Sequence, residues 1–164
     1  MRLMTIREVI HHDKEGNALW RAENLSNQFH TQGQEFILKA VFAGSSGVTI
    51  PTSYYVGLDN RSVINQGDTL ENIVGEPTQF GYGRQVVSSQ TGFGAVFDTV
   101  NWKVISKTIV FNATGGSWGL VRNAFLTTGS AVTGYLISTV PLPSSRTVNN
   151  GEFFSFKMNL ALED

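Results

Sequence analysis

The sequence predicts an all-β fold: an antiparallel β-sandwich, jelly-roll-like, with an N-terminal hairpin and one short α-helix. Three observations carry this. Near the C-terminus Phe154, Phe156, Met158, Leu160 and Leu162 alternate with Ser155, Lys157 and Asn159, the period-2 pattern of a half-buried strand. Turn signals built on Gly, Asn and Pro recur roughly every 8–12 residues, the spacing of a sandwich or barrel. Charged residues are 15% of the chain and glycines number 17, against about 25% charge in an average domain. Such a neutral-polar surface suits a turn-rich β protein, or one with much surface against other subunits. The 164 residues suffice for one domain with a sizeable core.

Taken in order, Met4, Ile6 and Ile10 alternate, with some slippage, against Arg2, Thr5, Arg7 and Glu8. Residues 13–17, Asp-Lys-Glu-Gly-Asn, form a turn, and residues 18–22 resume the β pattern, so a hairpin is expected. Thr31-Gln32-Gly33-Gln34 has the form of a capping box. Phe36, Ile37, Ala40 and Val41, extended by Phe29 and Gly33, share one helical face, which predicts a helix over residues 31–43 ended by Gly44. Residues 1–44 are thus read as a hairpin-and-helix unit and residues 45–164 as the sandwich.

Tyr54 to Leu58 form the next strand after Pro51. Residues 60–81 are irregular, with one capped helical turn expected around Asp68-Thr69-Leu70-Glu71. Strands are expected at 84–89, 93–100 and 102–111. Residues 107–126, KTIVFNATGGSWGLVRNAFL, read as the central hairpin, two β-type runs about Gly115-Gly116. Trp118 lies between Ser117 and Gly119, so that a neighbouring backbone can approach its indole. Residues 134–137 form a strand that Pro141 and Pro143 should end. Asn150-Gly151 is a strong turn signal before the last strand. The expected total is eight to ten strands, with no repeat, linker or low-complexity tract.

Several chemistries find no support. The net charge is −1 and no basic stripe is present, so phosphate-backbone binding has no electrostatic basis and no nucleic-acid partner is expected. Cysteine is absent, which excludes disulfides and thiolate metal sites. There is no apolar leader region and no 18-residue apolar run, so a soluble chain made in the cytoplasm is expected, without a membrane partner. His11 and His12 are adjacent and point to opposite faces of a strand, an unsuitable pair for one metal. Asp59, Asp68, Glu71 and Glu76 cluster in the irregular segment and could serve a glycosidase or hold Ca²⁺. Solvated loop and helix cap are the favoured roles. Tyr54, Tyr55, Phe80, Tyr82, Trp102 and Trp118 could form a sugar platform, although core packing is the commoner role of aromatics on β elements. No nucleophile, phosphate-loop or cofactor motif is present, so no enzyme and no cofactor are expected.

Four segments, in this order, resemble a family of small tailed-phage virion proteins labelled tail fibre or head decoration proteins. They are PTSYYVGLDN (51–60), GEPTQFGYGRQVV (75–87), IVFNATGGSWGLV (109–121) and VNNGEFFSFKMNLAL (148–162). The resemblance implies a non-enzymatic β-sandwich built into a virus particle after assembly in the host cytoplasm. It implies the major capsid protein or other virion proteins as partners, with self-association. Capsid decoration or cement is the first expectation, and a tail or fibre component or a host-glycan-binding module the alternative. Residues 1–44 carry more apolar surface than so small a unit can hide, so Met4, Ile6, Trp20 and Phe36 are the candidate interface residues.

Overall fold

The computed structural model describes residues 2–44, 47–97, 99 and 102–163. Two antiparallel sheets pack face to face as a sandwich. Eleven strands and one α-helix occur among the described residues: β1 (Arg2–His12), β2 (Ala18–Ser26), β3 (Gln28–Phe29), α1 (Thr31–Phe42), β4 (Ser53–Asp59), β5 (Gln85–Ser88), β6 (Phe93–Phe97), β7 (Trp102–Ser106), β8 (Ile109–Asn112), β9 (Gly119–Thr127), β10 (Leu136–Val148) and β11 (Phe153–Glu163). Sheet A runs β2-β1-β11-β7-β6, with β8 also paired to β11; sheet B runs β3-β10-β9-β4-β5.

The N-terminal hairpin forms as expected, and its turn is closed by Asp13. The Asp13 carboxylate accepts the backbone N–H groups of Glu15 and Asn17 at 3.0 and 2.8 Å. The slippage in the β1 pattern is a β-bulge. Ile6 opposes Met158 and Glu8 opposes Lys157, so Arg7 is an extra residue against β11. The bulge rephases the strand, and Ile6, Val9 and His11 point inward while Ile10 stays half-buried. On β11 the alternation holds: Phe154, Phe156 and Met158 are buried, and Leu160 is partly so. The Leu162 side chain lies outside the described residues.

Residues 107–126 do not form a hairpin. β8 pairs with β11 in sheet A, whereas β9 pairs with β10 and β4 in sheet B. The Gly-rich segment is a corner that carries the chain between sheets, with Gly115 at φ +83° and Gly119 at φ +79°. It runs beside the second corner, which contains Asn150-Gly151. Ala113 N–H donates to the Glu152 carbonyl at 3.0 Å, Trp118 N–H to the Val148 carbonyl at 3.0 Å, and Gly115 N–H to Asn150 Oδ1 at 2.9 Å. β8-β9 and β10-β11 are therefore one ribbon folded over the sandwich. A composition reading finds the turn but not which strand lies opposite.

Three further expectations are corrected. Pro141 and Pro143 lie within β10: Pro141 is still in register opposite Asn123, and the register then breaks until Arg146, so that Pro143 falls outside the ladder. The expected strand at 102–111 is two strands, β7 and β8, paired to different parts of β11. The α1 N-cap is His30 rather than Thr31, and the His30 carbonyl accepts the Gln34 N–H at 3.0 Å. A capping box forms instead on the 3-10 turn Leu70–Asn72, where the Asn72 side chain accepts the Thr69 N–H at 2.6 Å.

The main core fills the space between the sheets, with Phe111, Phe154, Phe156 and Met158 of sheet A facing Val56, Leu58, Leu126 and Val140 of sheet B. A second, smaller core covers the other face of sheet B. There the irregular residues 60–83 bring Leu70 and Ile73 onto Phe125 and Leu136. The Gln32 side chain of α1 ties both layers, because its Oε1 accepts the N–H of Leu70 at 3.0 Å and of Leu136 at 2.6 Å. Gly33 lets α1 lie directly on β10: a Cβ there would sit 2.5 Å from the Ile137 carbonyl oxygen.

Candidate interaction surface

The N-terminal residues occupy very different environments. Ile6 is fully buried in the main core. Phe36 is buried against Tyr54 and Tyr135, with ring centroids 6.4 and 5.4 Å away. Trp20 is half-buried, and the Arg146 guanidinium carbon stands 5.5 Å from its ring centroid. The backbone of Met4 pairs with Leu160, while its side chain lies outside the described residues. Ile6 and Phe36 are thus committed to this chain's own interior. Among the described residues, the large apolar side chains that this segment presents to solvent are Leu19, Leu38, Val41 and Phe42, the last 78% exposed. Val41, expected on the packed face of α1, belongs to this outer set. Leu38, Val41 and Phe42 fall at i, i+3 and i+4, a second apolar stripe away from Gly33 and Phe36 that the sequence reading did not separate from the first.

The histidines are structural. His11 is buried, and its Nε2–H donates to Glu152 at 2.9 Å while Nδ1 accepts from Arg146 Nε at 3.4 Å. Burial lowers its pKa, outweighing the opposing pull of Glu152, so the neutral ring is favoured. His12 points to the other face, as expected. It stacks on Phe153 at 4.4 Å, and its Nε2 accepts from the Ser155 hydroxyl at 2.9 Å. His30 is also buried, donating from Nδ1 to the Asn65 carbonyl at 2.9 Å and accepting from Thr139 at 2.8 Å. Its pKa is likewise lowered by burial.

Of the four carboxylates in the irregular segment, three are not solvated. Asp59 is fully buried, accepts from Arg61 Nη2 at 3.1 Å, and accepts from Asn123 Nδ2 at 2.7 Å. Asp68 accepts from the same guanidinium at 2.8 Å and from the Asn65 N–H at 3.0 Å. Glu76 receives Arg84 Nη2 at 2.5 Å and the Tyr82 hydroxyl at 2.7 Å. Burial and the Glu76 charge together push the Tyr82 hydroxyl pKa far up, so it stays protonated and donating. Arg84 also donates to the Gly129 carbonyl at 2.9 Å and lies 5.1 Å over the Phe125 ring. Glu71 alone of the four is solvent-exposed. These pairs pin residues 60–84 onto sheet B. Each of the three carboxylates is thus paired with an arginine and further hydrogen-bonded. Among the described residues no group of three or more His, Asp or Glu side chains is arranged to hold a metal ion.

The aromatics divide similarly. Tyr82 packs on Phe111 and Trp118, and Trp118 Nε1 donates to the Phe80 carbonyl at 2.9 Å, the close backbone approach expected there. Phe80 and Trp118, with Pro77, Thr78, Gln79 and Ser117, line a cleft of about 140 Å3. A larger cleft of about 370 Å3 on the outer face of sheet A is lined by Arg7, Glu8, Arg21, Glu23, Asn24 and Lys157. There the Glu8 carboxylate bridges Arg21 and Lys157. Phe97 and Trp102, 5.3 Å apart, are exposed on the β6-β7 hairpin. No helix among the described residues is long and apolar enough to cross a membrane.

No curated protein matches this chain. A family model described as podophage GP4 fiber I protein gp80 matches residues 24–161, from the end of β2 almost to the end of the last strand. That span takes in α1, the second core, most of the main core and all but the last residue of the four segments that resemble tailed-phage virion proteins, and the chain therefore belongs to the podophage GP4 fiber I protein gp80 family.

Proposed function

We propose that this chain is a non-enzymatic fibre component of a tailed-phage virion. The family match over residues 24–161 carries the reading, because that family is described as a fibre protein. The fold agrees with a passive, rigid role: the buried ionisable groups sit in structural pairs that hold loops to sheets. The family description weights a fibre over capsid decoration, the first expectation from sequence. Partners are other virion proteins. Residues 1–44 are the docking segment, and they meet another virion protein through the outward stripe of α1, Leu38, Val41 and Phe42.

Copy number tests the location. Band intensity against the major capsid protein in purified particles should correspond to a handful of copies. Hundreds of copies would make the chain a capsid decoration protein instead. Within the fibre reading, Leu38→Ser with Phe42→Ser should leave thermal stability unchanged and lower incorporation. Normal incorporation of that variant would remove α1 as the docking face.

A further inference from the structure

Among the described strands five have an open outer side, β2, β6 and β8 in sheet A and β3 and β5 in sheet B, and four of these edges are blunted. β2 carries Arg21 and Glu23 and is interrupted by Asn24 at φ 54°. β3 has only two residues, and β5 and β8 have four each and lie beside one another. β6, Phe93-Gly94-Ala95-Val96-Phe97, is the longest of the uncharged edges: it has five residues without proline, four of them exposed, and no described strand pairs with its outer side. An exposed, uncharged, apolar edge is a template for another strand, which natural monomers usually block with lysine, proline or a bulge.

The hairpin also extends a core face whose far end is left exposed among the described residues. Phe93, Ala95 and Phe97 alternate on the side of sheet A that packs inward, opposite Ser106, Val104 and Trp102 of β7. Phe93 is half-buried against Tyr54, at 6.2 Å. Further along, Phe97 is 52% and Trp102 69% exposed, and Val96 on the other face is 41% exposed.

We propose that β6 is a self-association edge, where Phe93–Phe97 pairs antiparallel with the same strand of a second copy around a two-fold axis at Ala95. The residue order singles out a second copy as occupant. FGAVF is nearly palindromic, so pairing about Ala95 sets Phe93 against Phe97 twice and Gly94 against Val96 twice. Cross-strand aromatic pairs of this kind stabilise antiparallel ladders. The seam contains no charge, so no like charges meet across the two-fold. On the inward side, each Phe97 would extend the Tyr54–Phe93 ring contact of the other copy. The arrangement is isologous and closes at two copies instead of growing into a filament.

The area sets the strength. From their exposures, Phe97, Trp102 and Val96 offer about 300 Å2 of side-chain surface per copy. The pair thus stays below the roughly 1,200 Å2 of stable complexes even with some backbone added. The contact is weak between free chains and fills when copies are held close together in a particle. This holds wherever in the virion the chain sits.

The test uses the full-length chain in solution, by sedimentation and amide hydrogen exchange from about 10 μM to 2 mM, a range that spans weak association. The average mass should rise toward a dimer, with concentration-dependent protection confined to residues 93–97. Val96→Glu and Gly94→Lys should each reduce dimerisation at least tenfold. Both positions tolerate a side chain: Val96 is exposed, and a Cβ on Gly94 meets nothing within 4 Å. In the proposed register position 96 faces position 94 of the other copy, so an equimolar mixture of the two variants should recover the dimer. Thermal melts confirm that each variant folds. A wild-type chain that stays monomeric at the highest concentration, with unchanged exchange at 93–97, overturns the proposal. So does a Val96→Glu chain that dimerises normally, or a mixture that does not recover. If Val96→Glu lowers incorporation into particles while the free wild type never self-associates, the edge belongs to a different protein and self-pairing is refuted.

Discussion

Gly57 on β4 sits opposite Phe125 on β9, and the Phe125 ring occupies the space where a side chain would stand. A Cβ at position 57 would come 2.2 Å from Phe125 Cζ and 2.6 Å from Cε1. The ring has little room to retreat. It is fully buried against Leu70, Ile73 and Leu136, and Arg84 lies 5.1 Å over it. Gly57→Ala therefore overpacks the second core, at a cost of about 3 kcal/mol, the upper part of the usual range. Against this, alanine restricts the unfolded chain and favours the strand by about 0.5–1 kcal/mol relative to glycine.

The net expectation is a loss of about 2 kcal/mol, or about 4–8 °C in Tm for a chain of this size. Urea denaturation of wild type, Gly57→Ala, Phe125→Leu and the double variant closes the cycle. With the ring gone, the methyl group has space, so Gly57→Ala should be near neutral or stabilising in the Phe125→Leu background. The coupling between the two sites should exceed about 1.5 kcal/mol. A Gly57→Ala chain within about 0.5 kcal/mol of wild type, or an equal loss in both backgrounds, would show that the ring does not hold this position.

Phe156→Ala should cost about 3–5 kcal/mol in denaturant unfolding, since Phe156 is buried in the main core, and a loss under about 1 kcal/mol would place it outside the core. Glu76→Ala leaves the nearly buried Arg84 without its anion and should cost about 3 kcal/mol or more, with Glu76→Gln milder because it keeps part of the hydrogen bonding; equal urea midpoints for Glu76→Ala and wild type would sink this. His11 and His30 have folded pKa values below 6.5, so the unfolded chain binds more protons just below that pH. Stability should be full above about pH 6.5 and fall as the pH drops from there toward the folded values, and His11→Gln should flatten that slope between about pH 7.5 and 5.5. Identical urea midpoints for the wild type at both ends of the window would contradict it.

What was legible in the sequence followed local physics. The alternation on β11, the Asp13 turn and the apolar face of α1 about Gly33 and Phe36 are each set by neighbours within one turn or strand. The misses required knowledge of partners far along the chain. Gly115-Gly116 has the composition of a hairpin turn, yet the residues that bond its flanks are Val148 and Glu152, more than 25 positions away. Pro141 and Pro143 should end a strand, but β10 continues through both, with Pro141 paired to Asn123 and Pro143 inside the register break opposite β9. The acidic cluster in residues 59–76 looks solvated in the sequence, because nothing local announces that Arg61, Arg84 and Asn123 will close over it. At the surface, two apolar stripes on one short helix merge into a single broad face when only apolar spacing is read.

The N-terminal segment is built largely into this chain's own core, and only part of it faces solvent. β1 lies between β2 and β11, and its pairing with β11 runs from Arg2 opposite Glu163 to His12 opposite Phe153. Excising residues 1–25 would strip β1 and nearly all of β2, exposing the long edge of β11 and the Phe154–Phe156–Met158 face that Ile6 and Val9 help to cover. Removal on that scale should unfold the sandwich, which a melt of the shortened chain would show as the loss of its cooperative transition. The same segment then crosses to sheet B through β3 and turns into α1, whose Gly33 and Phe36 lock it to β10 and the aromatic cluster while Leu38, Val41 and Phe42 face out. The inward residues hold the helix at a fixed angle on the sandwich. The outward stripe is consequently a rigid surface, which lowers the ordering entropy that a partner's binding must overcome. A contact role for this segment therefore rests on the solvent side of α1, and substitutions there leave the β1–β11 ladder intact.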